Sequence, residues 1–228
     1  VPPTNTVNEA EWHKMIPEGV TFHVTRMPLH DDTSSAEGRK ALYIDIEKST
    51  ADLAQAGLSV IAYGCTAGSM VQPLNQLSDF MSGIAGSPCV TTAASIISAL
   101  KSLDVNRISV ATPYHEALNS HEVEFLTSNG FEILKIVGLG IGAAGAHEYI
   151  QIARTPTAEI KAHVMSVDHP DAEAILISCT DFPSLSLIPE LEEELGKPVV
   201  SSNQATFWAS LRQAGIEDCF DAFGELLK

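Results

Sequence analysis

Two cysteines stand in matched settings. Residues 60–69 read VIAYGCTAGS and residues 174–184 read AILISCTDFPS. Each is an apolar, β-branched run that ends in Cys-Thr and breaks into small or turn-forming residues. That pattern predicts a buried strand delivering a thiol at its carboxyl end. Either cysteine alone reads equally well as a small, inert core residue. The shared context points instead to Cys65 and Cys179 as a catalytic pair facing each other across one cavity.

Two opposed thiols suit chemistry on both faces of a small carboxylate. A thiolate on one face can remove a proton alpha to the carboxylate while a thiol on the other face returns one, which inverts the centre. Alternatively, a thiolate adds to an activated double bond, the resulting single bond rotates, and elimination gives the other geometric isomer. Both routes place negative charge on substrate oxygens, which calls for preorganised donors. The hydroxyls of Thr66 and Thr180 and the backbone N–H groups of the two turns are the candidates. Each cysteine is expected to precede a helix, whose N-terminal dipole would lower a thiol pKa from its usual ~8.5.

The elements that position these residues repeat as well. Residues 86–100, GSPCVTTAASIISAL, correspond to 196–211, GKPVVSSNQATFWASL. Both read Gly-x-Pro-x-Val, two hydroxyl residues, then an amphipathic helix. The opening VPPTNTVNEAE corresponds to VATPYHEALNSHE at 110–122. Self-similarity at a fixed offset sets architecture, and here it predicts two similar α/β halves with the site between them. Val1-Pro2-Pro3 reads as the end of a strand, so a first strand is expected upstream. Further strands are expected at 21–27, 58–63, 107–112, 131–138 and 173–178, with a short one ending at Val90. Helices are expected at 37–56, 70–82, 93–103, 116–129, 156–167, 186–195 and 203–214, with 29–35 a polar loop. Strands alternating with helices make doubly wound parallel sheets, whose ligands sit beyond the carboxyl strand ends. The expected lobes are 1–104, with 205–228 packing back on it, and 105–204.

The same edge gathers other candidates. Tyr114 follows a strand through Thr112-Pro113 and could give its hydroxyl to a carboxylate. Asn5 and Asn119 hold similar places in the two halves, and Pro3 lies in the opening loop beside the site. Asn in such loops is ordinarily turn chemistry. Thr91 or Thr92, and Ser202, read as helix caps. His115 lies near the edge and could tune a thiol, and Arg26 is one of few cations able to meet a carboxylate. Cys89 and Cys219 lack a paired context and read as structural. Gly140-Ile-Gly142-Ala-Ala-Gly145 matches a dinucleotide-binding pattern, but the nearest acidic residue about 20 residues on, Glu159, falls inside an expected helix. The glycines read better as a flexible lid.

Bulk properties exclude several classes. The chain has 228 residues, 45% of them hydrophobic, and a formal net charge of −16. That charge argues against a nucleic-acid partner, which wants a basic face. No stretch approaches the ~20 apolar residues of a membrane helix, and no signal peptide is visible. The four cysteines read as free thiols of a reducing, cytoplasmic compartment. Eight scattered histidines give no ligand spacing, so no metal is expected. A homo-oligomer is compatible with the sequence.

Taken together, VPPTNT, GCTAGS, ATPYHEALN, SCTDFPSL and PVVSSNQATFW resemble the aspartate/glutamate racemase superfamily, specifically its branch of maleate cis-trans isomerases and arylmalonate decarboxylases. The resemblance covers nearly the whole chain. It implies two pseudosymmetric α/β lobes, no cofactor and a carboxylate or dicarboxylate substrate. It places Cys65 and Cys179 at the catalytic positions, Thr66, Tyr114 and Thr180 at carboxylate or oxyanion contacts, and Asn5 at the substrate-binding asparagine of the isomerases. Arylmalonate decarboxylases usually keep only the second cysteine, so Cys65 favours an isomerase or racemase over a decarboxylase using Cys179 as proton donor, or over a non-catalytic binding protein. The isomerases usually carry an asparagine in the loop that here reads LGIGAAGA at 139–146.

Overall fold

The computed structural model describes residues 1–30 and 35–228. It has two parallel sheets. In chain order the elements of the first half are α1 (Asn8–Met15), α2 (Ala36–Ala54), β1 (Ile61–Tyr63), α3 (Thr66–Ser69), α4 (Gln76–Ala85), β2 (Cys89–Thr91) and α5 (Thr92–Ser102). Those of the second are β3 (Arg107–Tyr114), α6 (Glu116–Ser128), β4 (Glu132–Ile141), α7 (Thr157–Ser166), β5 (Ala174–Ile177), α8 (Ile188–Leu195), β6 (Val199–Ser201) and α9 (Ser202–Gln213). A 3-10 helix covers Ala146–Arg154. The first sheet pairs β1 with β2, and the second runs β4-β3-β5-β6.

Strands β3, β5 and β6 of the larger sheet are buried on both faces, as doubly wound parallel strands are, while the edge strand β4 is partly exposed. Ala111, Ile175 and Ile177 enter one apolar cluster, while Ile108, Val110, Ala174 and Leu176 enter the other. This period-2 partition turns near-continuous apolar runs into two cores. A third cluster, with Leu42, Ile46, Ile61, Tyr63, Leu77 and Met81, fills the first half. The halves exchange helices: α9 leaves β6 and packs on α5 and α1. Thr91 caps α5, accepting from the Ala94 N–H, and Ser201 caps α9 in a capping box with Gln204.

Three expectations are corrected. The helix expected from 70 begins at Gln76, because Pro73 offers no N–H and restricts the residue before it. Residues 21–27 alternate as a strand should but form none. Their backbone is bonded to Val1, which donates to the Thr25 carbonyl and accepts from the Met27 N–H. A groove of about 440 Å³, lined by Phe22, Val24, Ile61 and Phe207 among others, separates them from β1. The glycine-rich stretch is no lid in its first part: Leu139, Gly140 and Ile141 belong to β4. A Cβ on Gly138 would lie 2.0 Å from the Tyr114 carbonyl oxygen, so that strand pairing requires glycine. After α5 the chain turns at Asp104, with φ 55°. The polar loop expected at 29–35 falls mainly on residues 31–34, outside the described residues. Among the described residues no helix is long and apolar enough to cross a membrane.

One buried group carries a measurable cost. Glu122 on α6 is fully buried, and neither carboxyl oxygen has a hydrogen-bond partner. Burial pushes its pKa up to about 7, with the nearby Ser178 hydroxyl pulling partly back. The folded protein therefore holds a proton that the unfolded chain releases near pH 4.5. This stabilising difference is complete below pH 4.5 and is lost as pH rises through 7. Its full size is about 3 kcal/mol. Glu122→Gln is expected to raise the melting temperature at pH 8.5 and to leave it nearly unchanged at pH 5. An equal shift at both pH values would contradict the protonated carboxyl.

Candidate active site

Strands β1 and β5 each end two residues before a cysteine, so both thiols emerge at the carboxyl edge of their sheets. They meet at a cavity of about 140 Å³ between the halves. Cys65, Thr66, Ala67 and Gly68 form one wall; Cys179, Thr180, Asp181 and Tyr114 form the other; Pro2, Thr4 and Asn5 close one end. Leu29, Leu118, Tyr149 and Ile152 add an apolar side, and His30 and His121 complete the lining. All four cysteines are free thiols.

The two sulfurs have similar donors but different surroundings. Cys65 is half-buried and N-caps α3. The Gly68 N–H and the Tyr63 hydroxyl lie beside its sulfur and partly offset a pKa raised by burial. Cys179 is buried in the left-handed region at φ 135°, a conformation that costs a non-glycine residue of order 1–3 kcal/mol. Its sulfur accepts from the Asp181 N–H at 3.4 Å, and the Tyr114 hydroxyl beside it favours the charged form. Burial, with the Asp181 carboxylate adding to it, pushes the Cys179 pKa up to about 12. The expected lowering by helix dipoles is thus overturned at both thiols: burial dominates, α3 has only four residues, and an irregular turn follows Cys179. The arrangement keeps Cys179 protonated and leaves Cys65 the easier thiol to ionise.

A belt of hydrogen bonds between the halves fixes this geometry. Asn5 Nδ2 donates to Thr180 Oγ1 at 2.9 Å, and Thr180 Oγ1 donates to the Gly64 carbonyl. Asn5 Oδ1 accepts from the Val7 and Asn8 N–H groups at the start of α1. The Thr66 hydroxyl bonds Ser202 Oγ at 3.0 Å, and Ser202 Oγ also accepts from the Cys179 N–H at 3.0 Å. Asn203 donates to the Thr180 carbonyl and to the buried Glu11 carboxylate. Glu11 in turn accepts from the N–H groups of Ser184 and Leu185. The Asp181 carboxylate accepts from Thr6 and Val7, and burial pushes its pKa up to about 6.

Of the residues singled out from sequence, the structure gathers Cys65, Cys179, Thr66, Tyr114, Thr180 and Asn5 at the cavity. Pro3 is exposed and Pro2 takes the lining position. Asn119 sits behind the wall, accepting from the Thr112 hydroxyl at 2.6 Å, which ties α6 to the end of β3. Arg26 donates to the Asn5 carbonyl and to Glu9, so its cation orders the opening loop. His115 N-caps α6 beside Gly142. Ser202 starts α9, but its hydroxyl serves the site; Ser201 is the cap. The N–H groups of Gly142 and Ala144 are bonded to the Glu148 carboxylate, so the glycine pattern presents no free cradle there for a phosphate. Asp181, Tyr63, Tyr149 and Ile152 were not singled out. Asp181 alone had a visible signal, as the acid next to Cys179-Thr180. Among the described residues no cluster of three His, Cys, Asp or Glu could hold a metal.

The family model described as arylmalonate decarboxylase matches residues 1–227, and the chain belongs to that family. A maleate isomerase of Nocardia farcinica is 28% identical over 241 residues, covering 100% of this chain and 93% of that protein. An arylmalonate decarboxylase of Bordetella bronchiseptica is 34% identical over 130 residues, covering 57% of this chain and 53% of that protein. A solved structure of a Nocardia farcinica maleate cis-trans isomerase, a cysteine-to-serine mutant with a covalently bound succinylcysteine intermediate, matches with a TM-score of 0.86 at 26% identity. The match covers 99% of this chain and 95% of that one. The two-lobed α/β architecture is therefore the family's.

The charge beside Cys179 gives a direct test. Asp181→Asn keeps an oxygen acceptor for Thr6 and Val7 but removes the carboxylate that holds the thiol up. Cys179 alkylation at pH 8 is expected to quicken roughly 3- to 10-fold. The gain should shrink as pH falls through 6, where the native carboxyl is itself protonated. Site-resolved mass spectrometry of carboxymethylated protein reads this, and slower alkylation at pH 8 would contradict it.

Proposed function

We propose that this member of the arylmalonate decarboxylase family is a cofactor-independent cis-trans isomerase of a small unsaturated dicarboxylate of the maleate type. The observation that carries the reading is the pair of free cysteines from opposite halves, lining one cavity in unequal environments. Support also comes from the maleate isomerase relatives, which span this whole chain.

Cys65 is the nucleophile in this reading. Its thiolate adds to one alkene carbon, forming a C–S bond as the π bond breaks. The electron pair moves toward the carboxylate on the neighbouring carbon, and the Cys179 thiol delivers its proton to that carbon. The former double bond is now single and rotates. The Cys179 thiolate, a strong base because burial disfavours its charge, takes the proton back; the C–S bond breaks, and the trans alkene leaves with Cys65 again a thiolate. Every atom moved is supplied by the two sulfurs and the substrate. The Tyr114 hydroxyl supports the transient Cys179 charge. The backbone N–H groups of Thr66 and Thr180 and the remaining Asn5 amide hydrogen hold the carboxylates, on a frame already fixed by the belt of side-chain bonds between the halves.

The second reading is decarboxylation of a substituted malonate, with Cys179 protonating an enediolate. The apolar side formed by Leu29, Leu118, Tyr149 and Ile152 favours it, since an aryl or alkyl group could lie there. Cys65 has no task in that reaction, whereas the isomerase needs both sulfurs.

Turnover of maleate to fumarate, followed by loss of cis substrate, is expected in the native protein. Cys65→Ser and Cys179→Ser should each lower kcat at least ~10³-fold, since a serine hydroxyl is far less acidic and nucleophilic than a thiol. Full activity in Cys65→Ser, with CO₂ released from an arylmalonate, would establish the decarboxylase instead.

A further inference from the structure

Each sulfur has one backbone N–H and one tyrosine hydroxyl close beside it. The tyrosine at Cys179 comes from the end of β3 and lines the cavity. The tyrosine at Cys65 comes from β1, lies outside the cavity lining, and has no counterpart at the matching sequence position: two residues before Cys179 stands Ile177, which is fully buried. We propose that Tyr63 is the hydroxyl donor that stabilises the Cys65 thiolate when it forms.

Three observations converge on that role. The ring of Tyr63 packs in the apolar cluster of the first half with Leu42, Leu77 and Met81, leaving its hydroxyl in need of a partner. Its main chain is fixed at the strand end: the Tyr63 carbonyl accepts from the Cys65 N–H at 3.1 Å and from the Thr92 hydroxyl at 3.1 Å. The hydroxyl then reaches round the turn to the Cys65 sulfur, meeting it over Gly68. An added Cβ on Gly68 would lie 2.6 Å from Tyr63 Oη and 3.1 Å from Cys65 Sγ. A glycine there lets the start of α3 close on the sulfur while the phenol still reaches it. The Gly68 N–H is the sulfur's other donor, so one turn supplies both bonds.

This placement gives Tyr63 a task at two points of the cycle. It stabilises the thiolate before addition, and it stabilises the same thiolate when elimination regenerates it. The phenol is buried and the half-buried sulfur faces a small cavity, where a charge-assisted hydrogen bond is stronger than in bulk water. Burial holds the phenol pKa well above its usual value, so it stays a donor throughout. Tyr63 differs from Tyr114 in that it supports the nucleophile and cannot contact the substrate from behind the turn.

The inference rests on Cys65 being the nucleophile, and its test does not need turnover. In a Cys219→Ser background, which removes the exposed thiol, iodoacetamide labelling of Cys65 and Cys179 is followed site by site across pH. Tyr63→Phe is expected to move the Cys65 midpoint up by about one pH unit, slowing its labelling ~10-fold below the midpoint, with the Cys179 profile unmoved. Gly68→Ala should move Cys65 the same way, by displacing the hydroxyl. On maleate, Tyr63→Phe should lower kcat by a similar factor with KM little changed. A Cys65 profile that superimposes on the parent's, or equal movement of both cysteines, would overturn the inference. A Cys65→Ser protein with full activity would instead refute the isomerase reading while leaving the labelling shift intact.

Discussion

A cavity of about 140 Å³ with a sulfur on each side can operate only if the two thiols do not ionise together. Two negative charges so close, in a site largely closed to water, repel strongly. Much of the local structure follows from keeping them unequal. Cys179 sits in a strained backbone conformation beside Asp181, and both burial and that carboxylate hold its proton on. Cys65 opens to the cavity with donors and no adjacent acid. Asp181 is itself kept in place by the opening loop, through the N–H groups of Thr6 and Val7. The first half of the chain thus sets the electrostatics of the second half's cysteine.

The same reciprocity runs through the belt. Ser202 receives the Cys179 N–H from its own half and the Thr66 hydroxyl from the other. Asn5 reaches across to Thr180, and Thr180 reaches back to Gly64. Neither half holds both walls of the site. The buried Glu11, accepting three donors from α9 and the turn after Thr180, clamps α1 against both. A buried carboxylate so fully bonded is costly to disturb, because each orphaned donor would keep its desolvation penalty.

Much of this was legible in the sequence, and the gaps have physical causes. The Cys-Thr pairs were readable because a buried parallel strand is a continuous apolar run and its end is abrupt. Tyr114 followed from the strand end that precedes it, and Asn5 from the repeat. Tyr63 was hidden because it lies within the strand, where an aromatic reads as core; its hydroxyl finds Cys65 only through the closure at Gly68. Asn119 matched Asn5 in sequence yet bonds Thr112, since the longer β3 and the tight approach of Gly138 move the cavity edge past it. Residues 21–27 had the alternation of a strand without the neighbours that make one. Tyr149 and Ile152 come from a 3-10 helix, whose poorer periodicity gives little sequence signal.

The central claim is that Cys65 forms the covalent bond to substrate and Cys179 moves the proton. The most direct measurement is the mass of the Cys179→Ser protein after incubation with maleate, with the adduct located by peptide mapping. The account predicts one substrate equivalent attached at Cys65 and none in the Cys65→Ser protein treated alike. An adduct on Cys179 in the Cys65→Ser protein, with Cys65 unmodified in its counterpart, would contradict it.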